Sequence, residues 1–471
     1  MAGFCPFFPI HIAGPDSGEV LEVKIHLEGE MPVDKKVANK VLIASLIGSS
    51  IEWFDYFLYG TVAALVFNQV IFHSEDPAVG LLLAYASFAL AFFIRPLGGV
   101  IFAHIGDRIG RKKTLVLTLS LMGGSTVLMG LLPTYASIGV AAPILLIILR
   151  LIQGIGLGGE WGGALLLAVE YAPKEKRGLF GSVPQMGVTI GMLLGTLALS
   201  IMSLLPEAAF MSWGWRVPFI LSALLVIFGL WIRKGIDETP SFKKAQEKGE
   251  IAKVPFVETM RTHWKEVLIA VGAKVVETAP FYIFSTFIVS YATTQLGFSR
   301  TVTLNAVTIA TIVTTILIPI MGGLSDKIGR KKLYVGGTIL MMLYAFPYFW
   351  MLQQGSSLML IVATVLGLGI IWAPITAVLG TMFSEIFKSN VRYTGISLGY
   401  QIGAALAGGT APLIATALLQ AYDNSYVPVA LYIMLTAAIS LVAVASIKDR
   451  NNQDLDTSTV ISETPKTNAT L

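Results

Sequence analysis

Apolar residues along this chain gather into long runs near 41–66, 79–105, 114–133, 140–168, 180–205, 215–233, 267–292, 302–324, 333–353, 358–382, 393–419 and 427–447. At a rise of ~1.5 Å per residue each run can cross a hydrocarbon core ~30 Å thick. The pattern therefore predicts an all-α membrane protein with twelve transmembrane helices. A polar stretch rich in Lys, Glu and Pro, from Arg233 to Lys265, divides the runs six and six. The phrase Gly106-Asp107-Arg108-Ile109-Gly110-Arg111-Lys112-Lys113 recurs as Ser325-Asp326-Lys327-Ile328-Gly329-Arg330-Lys331-Lys332, each copy between two apolar runs at matching places. Each copy reads as a short basic loop, and the two halves as pseudo-symmetric repeats. The expected divisions are an N-terminal segment 1–38, a six-helix half 39–233, a central loop 234–265, a second half 266–447 and a tail 448–471.

Composition agrees with membrane burial. The chain is 55% hydrophobic and 13% charged with a mean hydropathy of +0.73, against roughly 25% charged residues in soluble domains. The net charge of +4 matters less than its placement. The stretches 106–113, 173–178, 233–265, 326–332 and 387–392 carry 4, 3, 8, 4 and 2 Lys or Arg, whereas the alternate loops hold Arg300, with Arg216 near the start of the sixth run. The positive-inside rule then puts both termini and the central loop in the cytoplasm of a multi-pass plasma-membrane protein. A single cysteine, Cys5, excludes an internal disulfide and a thiolate metal cluster, and none of the five His residues forms a ligand-spaced pair. Residues 1–30 are broken by Pro6, Pro9, Gly14 and Pro15 and do not form a signal peptide. Two readings stay open for them: a native extension, or a stretch ahead of a true start at Met31, since Glu28-Gly29-Glu30 implies purine-rich coding just upstream of that methionine.

Seven ionisable residues fall well inside the runs: Glu52, Asp55, Arg95, Arg150, Glu160, Lys274 and Glu277. Each costs about 2.5–3.5 kcal/mol to insert unpaired, so together they must pair with one another or face water. Four acids and three bases suit a hydrated cavity containing ion pairs. The acids suit proton handling, because a carboxylate in low dielectric can load and release a proton at physiological pH. Glu52 and Asp55, three residues apart on one helix, are expected to repel, so that one of them holds a proton. Asp55 is the first choice of carrier and Glu160 the second. Arg95 can grip a carboxylate in bidentate fashion.

Several motifs carry a family resemblance. The two basic phrases and the run from Arg150 through Gln153, Gly154 and Gly156 to Gly159 resemble signatures of the major facilitator superfamily. Glu52-Trp53-Phe54-Asp55-Tyr56, Arg95-Pro96-Leu97-Gly98-Gly99, Gly158-Gly159-Glu160-Trp161 and Trp213-Gly214-Trp215-Arg216-Val217-Pro218-Phe219 are similar to its metabolite:proton symporter family, over about Asn39 to Ile447. One departure is Ala103, where the loop motif usually begins with Gly; Gly322 keeps it in the second copy. The resemblance implies an alternating-access carrier with the proton as coupling ion, no other cofactor and no enzymatic activity, probed by a small-molecule substrate and the lipid bilayer rather than nucleic acid, and working as a monomer. Arg150 matches a residue linked there to proton coupling. Asp107, Arg108 and Arg111, with Asp326 and Arg330, match the loop charges that hold the cytoplasmic side closed. The fifth run lacks the Gly-Pro pair of the superfamily's antiporters, which favours symport.

Cargo is less legible. The wording from Gly158 to Glu170 and Glu277-Thr278-Ala279-Pro280-Phe281-Tyr282 is closest to shikimate-like carriers. The fifth run offers Ser182, Gln185 and Thr189 but no second Arg for a second carboxylate, and the short polar tail has no heptads. A shikimate-like monocarboxylate is therefore favoured, with a proline or betaine zwitterion, a dicarboxylate, or a carrier-derived sensor as alternatives. Candidate cargo contacts are Arg95, Trp161, Gln185, Lys274, Glu277 and Tyr282. Trp53, Tyr56, Tyr85, Tyr291, Trp372 and Tyr400 are further aromatic candidates for the cavity wall.

The charge asymmetry gives a topology test in a Cys5→Ser background. Single cysteines at Ser356 and Asn424 are expected to label from outside intact cells, and those at Lys176 and Ser389 only after permeabilisation. Labelling at Ser389 in intact cells would overturn the twelve-helix arrangement.

Overall fold

The computed structural model describes residues 10–13, 20–23, 35–109, 111–158, 165, 168–169, 172–234, 256–387 and 392–447. Within them the chain forms twelve principal helices: α1 (Lys35–Val62), α2 (Pro77–Ile109), α3 (Arg111–Gly130), α4 (Ala141–Leu157), α5 (Arg177–Met202), α6 (Arg216–Lys234), α7 (Trp264–Thr294), α8 (Arg300–Ile328), α9 (Arg330–Leu352), α10 (Ser357–Ile386), α11 (Thr394–Ala421) and α12 (Val427–Ala445). Eight are individually long and apolar enough to cross a membrane, and α6 joins the short segment Glu207–Gly214 through a 41° bend to make a ninth. Most of α3 and all of α4 form shorter apolar helices, and α1, interrupted by Glu52 and Asp55, completes the set. Ahead of the bundle, β1 (Ile10–Ala13) and β2 (Val20–Val23) pair antiparallel with Ile10 opposite Val23, a hairpin the apolar pattern did not foretell.

Helix ends follow local chemistry. Asp76 accepts the Ala78 N–H at 2.8 Å just ahead of Pro77, so α2 begins with a capped turn and a proline at its first position. Arg216 donates to the carbonyls of Gly130 and Leu132 at 3.1 and 2.6 Å and stacks over Trp215, closing the end of α3. Lys331 does the same for α12 through the carbonyls of Ala445 and Ile447. The recurring basic phrase is mostly helix rather than the expected loop. In its second copy α8 runs through Asp326 to Ile328 and α9 starts at Arg330, leaving only Gly329, whose φ of +99° reverses the chain at a value that a side chain would oppose.

Packing repeats with two-fold regularity. In the first half α1 lies on α5, α2 on α4 and α3 on α6; in the second α7 lies on α11, α8 on α10 and α9 on α12. The halves meet through α5 on α8 and α2 on α11, which exchange under the same operation. The outer helices expose large apolar residues, including Leu224 and Ile227 on α6, Leu343 on α9 and Val442 on α12, as a lipid-facing surface requires. Glycines set the closest approaches. A Cβ on Gly98 of α2 would stand 2.1 Å from the Ile155 carbonyl oxygen of α4, and one on Gly178 of α5 would stand 2.5 Å from the Gly322 carbonyl oxygen of α8.

This contrast predicts the response to alanine. Gly98→Ala forces backbone apart and should cost about 1–3 kcal/mol, seen as a lower melting midpoint in detergent. Gly124→Ala in α3, where a Cβ meets nothing within 4 Å, should be neutral or stabilising by up to ~1 kcal/mol through helix propensity. Equal melting points for the two variants would contradict the packing.

Candidate functional site

Between the halves lies a small, largely closed cavity. Its wall comes from Trp53 on α1, Phe92 on α2, Val188 on α5, Lys274, Glu277, Thr278, Phe281 and Tyr282 on α7, Trp372 on α10, and Tyr400 and Ala404 on α11. Six of these are aromatic. The rings interlock, with Phe281 and Trp372 at 4.5 Å between centroids and Phe57 behind them at 5.4 Å from Phe281.

The polar groups of the wall are concentrated on α7. Lys274 pairs with Glu277, and its ammonium lies 3.7 Å from the Tyr400 ring centroid. The Glu277 carboxylate also accepts the Thr278 hydroxyl at 2.9 Å and the Thr376 hydroxyl at 3.1 Å, while the Trp372 indole donates to the Glu277 carbonyl at 2.5 Å. Gln185 of α5 donates to the Thr376 hydroxyl oxygen at 3.1 Å, so a chain of hydrogen bonds crosses from the first half to Glu277. Lys274, Glu277 and Tyr282 thus line the cavity, and Gln185 reaches it through Thr376, a residue that sequence reasoning missed.

The first half holds two buried guanidiniums. Arg150 of α4 donates to the Gln153 amide oxygen and to the Phe88 carbonyl at 3.3 Å, and lies 3.7 Å from the Tyr59 ring centroid. Gln153 in turn donates to Thr126 of α3 at 2.8 Å. Arg95 of α2 is flanked by rings: its guanidinium carbon is 4.3 Å from the centroid of Tyr56, 4.4 Å from Phe92 and 5.4 Å from Trp53. Arg95 is 2% exposed, and its Nε and Nη2 have no hydrogen-bond partner. Among the described residues Lys274 and Glu277 pair, but Arg95 and Arg150 are met largely by aromatic faces, which spacing along the sequence does not reveal.

Glu52 and Asp55 also part company. Asp55 is 1% exposed and turned toward α3 and α6, where the Thr126 and Ser222 hydroxyls approach its carboxylate without closing a hydrogen bond of ordinary geometry. Glu52 lies within electrostatic range of Tyr400 on α11. A three-residue step turns about 60° round the helix, enough to bring different neighbours to the two side chains. Glu160 and Trp161, and the side chains of Asp107, Arg108 and Arg111, lie outside the described residues.

On the face bearing the basic phrases, Asp326 of α8 accepts the Gly178 and Leu179 N–H groups of α5 at 2.7 and 3.0 Å, at a helix N-terminus that favours negative charge. Arg330 binds Asp326 and Glu385, each at 3.0 Å. Glu385 was overlooked, although it stands seven residues before Arg392 as Glu170 does before Arg177. On the opposite face Ser203 meets Thr301 at 3.1 Å, Arg300 meets Glu207 at 2.8 Å, and Tyr85 meets Ser290 at 2.9 Å. Contacts between the halves thus lie above and below the cavity. Tyr291, bonded to Gln353 at 3.0 Å, packs away from it.

The buried ion pair predicts strong non-additivity. Lys274→Met leaves Glu277 without its cation and should cost about 3–5 kcal/mol, whereas Lys274→Met with Glu277→Leu should recover most of that in a thermal-melt cycle. A double variant as unstable as the sum of the singles would argue against the pair.

Comparison with known proteins places this architecture. Residues 40–257 match the family model of sugar and other transporters, and residues 270–462 that of the major facilitator superfamily. The chain is 38% identical to the shikimate transporter of Escherichia coli, covering 90% of this chain and 97% of that one. It is 39% identical to the inner membrane metabolite transport protein YhjE of the same organism (91% and 98% covered), and 34% identical to the proline/betaine transporter of Salmonella typhimurium (90% and 86%). The solved structure of the proton:xylose symporter XylE superposes with a TM-score of 0.66 at 18% identity, over 89% of this chain and 98% of that one, which shows a shared fold. The protein is a multi-pass membrane transporter and not an enzyme, and with this identity over nearly its whole length the chain belongs to the major facilitator superfamily, in the family of metabolite carriers that includes the shikimate and proline/betaine transporters.

Proposed function

We propose that this chain is a proton-coupled symporter that imports a small carboxylate, with a shikimate-like monocarboxylate favoured. The observation that carries this reading is the empty edge of Arg95. Rings flank the guanidinium, and its Nε and Nη2, which point along one side as a parallel pair of donors, lack partners. A carboxylate is the group that fits such a fork. Neither arginine is itself a wall residue, but Arg95 lies directly behind Trp53 and Phe92 of the wall, whereas the rings that Arg150 meets, Tyr56, Tyr59 and Phe88, stand outside it, which supports one carboxylate rather than two. A betaine-type zwitterion is the second reading, because the six wall aromatics could cage a quaternary ammonium.

In this mechanism the basic phrases face the cytoplasm with both termini, and the carrier works as a monomer. Cargo enters from the opposite face, docks on Arg95, and meets Lys274, Glu277 and Tyr282 across the cavity, with Gln185 and Trp161 as further contacts. Asp55 carries the proton, with Glu52, Glu160 and Arg150 completing the coupling group. Release requires α5 to part from α8, which breaks the Gly178 and Leu179 bonds to Asp326. Arg330 holds Asp326 for reclosure, and Asp107, Arg108 and Arg111 act alike in the first half.

Uptake into proteoliposomes of a panel of labelled organic acids and betaines, with and without an inward proton gradient, tests the reading. Gradient-driven accumulation of a carboxylate is expected; binding without accumulation of any member would favour a sensor. Asp55→Asn should abolish accumulation yet keep counterflow, since exchange of loaded carriers need not release the proton. Wild-type accumulation in that variant would rule Asp55 out, and loss of counterflow as well would make it a binding or folding residue.

A further inference from the structure

Buried indoles in this protein are otherwise well served. Among the described residues, Trp215 donates to the Met211 carbonyl at 3.2 Å and Trp372 to the Glu277 carbonyl at 2.5 Å, as buried tryptophans ordinarily do. Trp53 is 4% exposed and its Nε1 has no partner. It lines the cavity and, with Phe92, ties the cavity to Arg95, whose guanidinium carbon lies 5.4 Å from the Trp53 ring centroid and 4.4 Å from that of Phe92. Stacking on Phe57 at 5.3 Å and edge contact with Tyr56 at 5.7 Å fix the indole plane.

Three N–H groups, on Trp53 and on Arg95 Nε and Nη2, and the hydroxyl of Tyr56, whose ring lies against both residues, therefore have no hydrogen-bond partner. Buried donors are rarely left so. A partner for the three N–H groups must bring acceptors: a carboxylate offers two oxygens with about four lone-pair sites, enough for the arginine fork, the indole and the hydroxyl. A carboxamide of the same shape presents an NH₂ in place of one oxygen and would set donor against donor.

We propose that Trp53 is a cargo-contacting residue that donates its indole N–H to the carboxylate gripped by Arg95, so that α1 and α2 together form a three-donor subsite that selects carboxylates over their amides. This rests on the reading of the cavity as the cargo site. It adds to that reading a residue whose ring alone would pass for packing, and it gives the site a defined polarity: the charged end of the cargo lies against α1 and α2, and its body lies against Phe281, Tyr282 and Trp372.

The test uses purified full-length protein with shikimate, glycine betaine and the primary amide of shikimate as probes. The wild type should bind at least one carboxylate and reject the amide. Trp53→Phe keeps the ring and loses the N–H; its Kd for the bound carboxylate should rise about tenfold, its discrimination against the amide should fall by the same factor, and its melting point without ligand should stay within a few degrees. Should Trp53→Phe fail to fold, benzothienylalanine at position 53, which replaces N–H by sulfur in the same outline, should give the same loss. A role in packing alone would lower the melting point and leave the discrimination intact, which overturns the proposal. Unchanged affinity and discrimination in these variants alongside weakened binding in Arg95→Lys overturns it and spares the cargo reading. Failure of the wild type to bind either carboxylate, or an Arg95→Lys variant indistinguishable from wild type, overturns both.

Discussion

A charge inside a bilayer must be met inside the protein, and in the first half of this carrier the partners are rings. Tyr56, Tyr59, Phe88 and Phe92 lie between or over Arg95 and Arg150. An aromatic face gives a guanidinium a negative quadrupole without bringing a formal charge. Ion pairs would neutralise both arginines and leave nothing for an anion to seek. Ring faces hold both cations in place, and at Arg95 they leave one edge of the guanidinium without a hydrogen-bond partner. The second half uses the other solution, since Lys274 and Glu277 close on each other and are further bound by Thr278 and Thr376. Around the cavity, the cation of α7 is thus closed by its own carboxylate, whereas Arg95, behind Trp53 and Phe92, keeps two N–H groups without a hydrogen-bond partner.

The backbone obeys a parallel constraint. Helices that must slide past one another need contacts made of small residues and hydrogen bonds that break without leaving a void. Gly178 against Gly322 and Thr189 against Thr315 at 2.9 Å supply such a seam along α5 and α8. The exchange of α5–α8 with α2–α11 under the internal two-fold means that both seams run through the midline of the molecule beside the cavity.

Much of the fold was legible because apolar run length and the repeated basic phrase both report on the bilayer, which imposes the same requirement on every span. The residues that escaped notice are those whose partners come from other helices. Asp55 and Glu52 look like a pair along α1, but α3, α6 and α11 decide where each one points. Thr376 and Glu385 carry no motif of their own and matter only because Gln185, Glu277 and Arg330 converge on them. The helical nature of the basic phrase was hidden for a different reason: charged residues end an apolar run without ending a helix, and only Gly329, through its positive φ, does that.

The contacts that hold α5, and the segment that follows it, to α8 differ at their two ends. Toward the basic phrases, Asp326 is largely buried, anchored to two backbone N–H groups and backed by Arg330. At the far end, the Arg300–Glu207 pair has a Glu207 side chain that is 72% exposed, and an exposed pair of that kind contributes about 0–1 kcal/mol and weakens as salt rises. The seam is thus built with one tight and one loose end. The two ends of the seam answer to different conditions, since added salt loosens the exposed pair and leaves the buried one in place.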